Sequence, residues 1–195
     1  MLFTTLVEIA RALNQAGVHW GVGASVLVYY CGLVDTPHDI DILTSELDVE
    51  TVATILGSLG RETQGDPRSL YSTSRFLEYV VDGTNVDVMA GLAIKHTDGT
   101  YVLPFDDRSV TMTRTENSVT IPFTSLEDWY VLYQLIPGRE AKVKLIEDHM
   151  LNSGIADLSV LERAIARELP PHVRARTLRL MESCRSPERR SPGRM

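Results

Sequence analysis

The chain has 195 residues, 44% of them of hydrophobic type, and a formal net charge of −7. That is enough for one domain of ordinary size with a real core and a small helical appendage, and it counts against a fibrous, low-complexity or disulfide-stapled chain, since Cys31 and Cys184 sit in no CxxC or Cys/His cluster. Past His172 seven arginines face only Glu182 and Glu188, so the rest of the chain is strongly acidic; such a body argues against stable duplex DNA binding and suits a site that concentrates metal cations.

Leu2, Leu6, Ile9 and Leu13 recur at helical spacing and Gly17 closes the pattern, so the chain opens on an amphipathic helix rather than a signal peptide. No stretch reaches the ~18 apolar residues of a membrane span. With two isolated cysteines, the expected location is the reducing cytoplasm, with no membrane partner. HWGVG (19–23) reads as extended, and SVLVYYCG (25–32) as a short buried helix stopped at Gly32. HDIDIL (38–43) alternates as a strand, with the isoleucines toward the core. Asp39 and Asp41 then share the other face, about 7 Å apart at Cα. LDVETVATILGSLG (47–60) is a second helix with acidic residues in its first turn, and QGDPRS (64–69) a loop.

FLEYVVDGTNVDVMAG (76–91) is a hairpin around Asp82-Gly83, a second hairpin is expected at Asp98-Gly99, and SVTMTRTENSVTIPF (109–123) reads as a third around Glu116-Asn117. From Ser125 the period changes. SLEDWYVLYQLI starts with a capping box from Ser125 to Asp128 and runs as a buried helix to Pro137-Gly138. EAKVKLIEDHMLNSG and LSVLERAIARELP are further helices, Pro170-Pro171 stops the latter, and RARTLRLMES forms a last basic one. The expected organisation is an α/β core over 1–124, a helical subdomain over 125–184, and a disordered tail over 185–195. The basic tail is read as a solvated terminus, with RNA or an acidic partner as the alternative.

Three features of the front half converge. Gly23-Ala24-Ser25 turns from strand into helix, which is either a plain N-cap or an anion site built from backbone N–H groups and the Ser25 hydroxyl. Asp39 and Asp41 are either a solvated strand face or a pair of metal ligands. Asn85-Val86-Asp87-Val88 alternates again and sets Asp87 opposite its two valines. Together they suit nucleotidyl transfer with Mg²⁺ or Mn²⁺. Hard oxygen ligands and substrate phosphates hold such ions, and two ions about 3.5–4 Å apart clamp the attacking and leaving oxygens. Asp39, Asp41 and Asp87 are the candidate metal ligands and catalytic residues, with Asp87 also a candidate general base. Gly23 and Ser25 would cradle the triphosphate.

The order Gly-x-Ser, helix, Asp-x-Asp strand and a third Asp on a later strand resembles the DNA polymerase β-like nucleotidyltransferase superfamily, whose small bacterial members include antibiotic, toxin–antitoxin and abortive-infection nucleotidyltransferases. The resemblance runs through VGASVLVYYCGLVDTPHDIDIL and NVDVMAG, and less specifically through the helices around SLEDWYVLYQLIPGREAKVKLIEDHML. It implies an α+β fold with a mixed sheet flanked by helices, an NTP substrate, a divalent metal, pyrophosphate release, and a hydroxyl acceptor on a small molecule, a protein or an RNA end. The chain departs from the pattern in two places. Val22-Gly23 replaces the paired glycines, and Asp35-Thr36-Pro37 stands where many small members carry an arginine. His38, Arg139, Lys142 and Lys144 are the candidate substitutes for that cation, Lys142 being assigned to the nucleotide. The alternative function is a non-catalytic binding or antitoxin-type subunit on the same fold. His149 has no His-Glu-x-x-His partner, and Trp20, Tyr29, Tyr30, Trp129, Tyr130 and Tyr133 are assigned to the core, with base stacking by one of the tyrosines as the alternative.

Overall fold

The computed structural model describes residues 1–64 and 70–185. The expected loop at 64–69 and the expected tail from 185 onward therefore lie almost wholly outside the described residues. In chain order the elements are α1 (Leu2–Ala16), β1 (Trp20–Val22), α2 (Ala24–Tyr30), β2 (Ile40–Thr44), α3 (Val49–Leu59), β3 (Arg61–Thr63), β4 (Arg75–Val81) and β5 (Thr84–Ala90). They continue with β6 (Ala93–His96), β7 (Gly99–Val102), β8 (Val110–Glu116), β9 (Val119–Thr124), α4 (Leu126–Leu135), α5 (Glu140–Ser153), α6 (Leu158–Ile165) and α7 (Pro171–Arg185).

Seven strands form one mixed sheet in the order β3-β4-β5-β2-β1-β9-β8, and β6 and β7 form a separate pair. The fold is thus α+β, with the helices α4 to α7 following the last strand. Two pairings place the acidic residues. Strand β2 runs parallel to β5, which sets Asp41 beside Asp87, and β4 runs antiparallel to β5, which sets Glu78 beside Asp87 and Phe76 beside Met89. Cross-strand partners project to the same face. Ile40, Ile42, Val86, Val88 and Tyr79 therefore share one face, all buried, where the Tyr79 hydroxyl reaches the Ala53 carbonyl of α3 and Thr84 meets Thr5 of α1. Asp41, Asp87, Met89 and Phe76 share the other, under α4.

Local chemistry accounts for most boundaries. Gly17 closes α1 in the left-handed conformation at φ 67°, and Asp82 and Gly83, at φ 47° and 73°, form the tight turn of the β4–β5 hairpin. In the β8–β9 hairpin the positive φ values fall on Asn117 and Ser118, one residue later than the sequence suggests. Ser125 caps α4 by accepting from the Asp128 N–H at 3.0 Å. Two further expectations shift. Helix α6 stops at Ile165, short of Pro170, and Pro171 opens α7 instead of merely ending its predecessor, because its fixed φ and missing N–H cost nothing in a first turn. The three-residue strand β3 carries too little pattern to be read. Among the described residues no helix is long and apolar enough to cross a membrane.

Candidate active site

Strand β2 begins at Ile40, so Asp39 stands just outside the ladder where its backbone is free for other bonds. The Ser25 hydroxyl fills that role: it lies 2.9 Å from the Asp39 carboxylate Oδ1 and 3.1 Å from its carbonyl, donating between them. The His38 N–H donates to Ser25 Oγ at 3.4 Å. Ser25 is itself buried, so the bond is sheltered and ties the start of α2 to the Asp-x-Asp segment. Asp41, two residues on, and Asp87, its parallel partner, are both partly buried. Asp39, Asp41, Asp87 and Ser25 line one cavity of about 80 Å³, roofed by Trp129, Leu132 and Tyr133 of α4.

Gly23 takes part differently from the cradle expected of it. Its N–H donates to the Asp41 carbonyl at 2.9 Å, and a Cβ there would collide with the Trp129 indole. The close approach that the glycine permits is to α4. The indole is fixed in turn by donating from Nε1 to Thr124 Oγ1 at 2.9 Å. Ala24, next in sequence and lining the cavity, holds φ 44°, a left-handed conformation that costs a non-glycine residue energy and concentrates at functional sites.

The cation question divides the four candidates. Lys142 and Arg139 line the cavity, near the start of α5. Lys144 instead pairs with Asp148 at 2.7 Å on the exposed side of the same helix, and His38 is exposed and absent from the cavity wall. Lys142 Nζ lies 4.9 Å from the centroid of the Tyr133 ring and 3.5 Å from its hydroxyl. Burial lowers the Lys142 pKa, Arg139 lowers it further, and Asp41 and Asp39 pull it back up. Tyr133 is pushed well above the usual phenol range, chiefly by burial and then by Asp41. Those couplings run between α4, α5 and β2, so two carboxylates, two cations and a phenol share one electrostatic environment. The sequence places Tyr133 in the core, with base stacking by one of the tyrosines as the alternative. It is buried, yet it also lines the cavity, and a helical-face pattern does not distinguish those two states.

The donor set is all hard oxygen. Among the described residues no three Asp, Glu, His or Cys side chains already converge as a ready-made ion cage. Carboxylate oxygens suit a hard dication, and such an ion takes one or two carboxylates together with waters and substrate phosphates. A larger groove of about 670 Å³ lies elsewhere, between α2, β8 and α5, and includes Cys31 and His149 but none of the three aspartates.

A family model for aminoglycoside-2''-adenylyltransferases matches residues 5–151, more than half of the chain. No curated protein matches it in sequence. Among solved structures, TM1012 of Thermotoga maritima, described as a candidate nucleotidyltransferase, superposes with a TM-score of 0.56 at 24% identity, covering 76% of this chain and 91% of that one. ANT(2'')-Ia in complex with adenylyl-2''-tobramycin gives 0.55 at 12% identity, over 90% and 96%. The lincosamide antibiotic adenylyltransferase LnuA, lincomycin-bound, gives 0.51 at 15% identity, over 74% and 95%. At these identities the three structures establish a shared fold.

Proposed function

The chain belongs to the aminoglycoside-2''-adenylyltransferase family and is a nucleotidyltransferase, and from that premise we propose that it transfers a nucleoside monophosphate, with ATP as the donor the family name points to, onto a hydroxyl of a small molecule. ANT(2'')-Ia holds an adenylylated tobramycin and LnuA holds lincomycin, which supports a small-molecule acceptor over a protein or an RNA end. The observation that carries the reading is the register of Asp41 beside Asp87, with Asp39 two residues earlier and all three on one cavity wall with Ser25 and Lys142.

In this reading Asp39, Asp41 and Asp87 are the ligands of Mg²⁺ or Mn²⁺. When bound, the metal neutralises the phosphates and makes the acceptor hydroxyl more acidic. The rest is done by the chain's own groups. Ser25 holds the Asp39 carboxylate in orientation by its hydrogen bond. Lys142, steadied over Tyr133, and Arg139 face the phosphates and take the place of the arginine absent before β2. Asp87 accepts the proton of the attacking hydroxyl. Trp129, Leu132 and Tyr133 close the cavity from above and keep bulk water from competing with the acceptor.

The test is pyrophosphate release with each NTP, with and without Mg²⁺ or Mn²⁺. Asp39→Asn and Asp87→Asn should each lower turnover by at least about 100-fold while leaving the melting temperature near that of the parent. Turnover that persists in EDTA, or in either variant, refutes the assignment.

A further inference from the structure

We propose that the large groove between α2, β8 and α5 is a second binding site, for a small ammonium compound with an alkyl or aryl body. The groove shares no lining residue with the aspartate cavity. It can therefore be filled while Asp39, Asp41 and Asp87 are engaged with other ligands.

The observation that singles it out is Glu127, in the first turn of α4, a carboxylate only 3% exposed. A buried carboxylate needs donors or a cation to offset its lost hydration. Glu127 has two donors, the backbone N–H groups of Ala156 and Asp157 at 2.9 and 3.1 Å, and both go to Oε1. Among the described residues nothing donates to Oε2, and no lysine, arginine or histidine pairs with the charge. Oε2 is not sealed from solvent, and Glu127 forms part of the groove wall. Its charge is felt there: burial first, and Glu127 second, raise the pKa of Cys31, another wall residue.

Much of the surrounding wall is apolar, with Leu27 of α2, Leu126 of α4, Met150 of α5, and Val110 and Met112 of β8. Asp157 adds a second carboxylate at the rim, and His149 a ring nitrogen that accepts a hydrogen bond in its neutral form. Arg108 also lines the groove but is paired with Asp106 at 3.2 Å. The charge left over is negative, which favours a cation and repels a carboxylate or a phosphate. An ammonium brings three donors and no acceptor, which suits a wall that holds an unused carboxylate oxygen. Its alkyl or aryl body gains by leaving water against the leucines and methionines. The volume of about 670 Å³ lies in the range of small-molecule sites.

The experiment measures binding to the full chain by titration calorimetry. The probes are phenethylammonium and hexylammonium. The controls are phenethyl alcohol, which keeps the body without the charge, hydrocinnamate, which reverses the charge, and methylammonium, which lacks the body. At least one probe should bind about tenfold more tightly than every control, as one hydrogen bond to a charged group provides. Glu127→Gln removes the charge yet still offers an acceptor to the two N–H groups, and should weaken that probe about tenfold. Thr111→Trp fills the groove from the exposed strand β8 and leaves Glu127 untouched, and it should weaken binding by a similar factor; it decides the matter if Glu127→Gln does not fold. Asp39→Asn should bind the probe as the parent does. Loss of binding in Asp39→Asn overturns the proposal, because the amine would then sit in the aspartate cavity. So does undiminished binding in both groove variants, a control that matches the better probe, or a failure of both probes to bind.

Discussion

At Gly23 a hydrogen atom occupies the place where any other residue would drive a Cβ into the Trp129 indole. Gly23→Ala should therefore cost about 1–3 kcal/mol in chemical denaturation, the range for overpacking a filled core. Ala24 offers the opposite case. Its φ of 44° is strained for alanine and natural for glycine, so Ala24→Gly should be neutral or stabilising by up to about 1 kcal/mol by the same measurement, relief of strain being offset by the freer unfolded chain. The Gly-x-Ser turn was legible in the sequence as a place where backbone comes close to something. What it approaches was not, because Trp129 lies on a helix far along the chain and no local pattern connects the two. The Ser25 bond to Asp39 was hidden for a related reason: alternation in HDIDIL reads as continuous strand, while the pairing starts one residue after Asp39.

Helix α4 carries the best-defined pH dependence. Ser125 and Asp128 were readable as a cap, and the Ser125 hydroxyl also donates to Asp128 Oδ2 at 2.8 Å. No local pattern signals that Asp128 is buried facing Arg163 of α6, whose Nη2 lies 3.5 Å away. Burial pushes the Asp128 carboxyl up to about 6, and Ser125 and Arg163 only partly counter it. A carboxyl raised in the folded state favours folding most while it is protonated, below its unfolded value of 3.8, and that contribution is lost as pH rises through about 6. Between pH 4 and 7, parent stability should fall relative to Asp128→Asn by on the order of 1–3 kcal/mol, read as the difference between two denaturation series. A parallel pair of pH curves would contradict this. Helix α5 is anchored elsewhere: Glu147 takes a two-pronged ion pair from Arg176 of α7, at 3.0 and 2.6 Å, plus the Tyr130 hydroxyl at 3.0 Å. Glu147→Ala should destabilise by about 1–3 kcal/mol, because it strips both donors of a charged partner at once.

Across the whole molecule the sequence resolved the kinds of element and most of their order, since period and turn residues are local signals. The sheet order was beyond it. Nothing in the alternation of β5 says that it pairs in parallel with β2 and antiparallel with β4, yet that double pairing is what brings Asp87 beside Asp41. If Asp39, Asp41 and Asp87 share one cavity with Ser25 and Lys142 as ion and phosphate ligands, ion and nucleotide should stabilise the protein cooperatively. Millimolar Mg²⁺ alone should barely move the melting temperature, and Mg²⁺ with ATP should move it by more than the two separate shifts combined, as linkage requires when each completes the other's coordination. Additive shifts would argue against a shared site. The cavity's two cations have a wider consequence for how such enzymes are found. Arg139 and Lys142 line the same cavity as the aspartates from beyond Pro137-Gly138, long after the point where many small members carry an arginine. A pattern search that demands an arginine just ahead of Asp-x-Asp would discard this chain, and a census built on that rule undercounts every relative whose positive charge arrives from the rear helices.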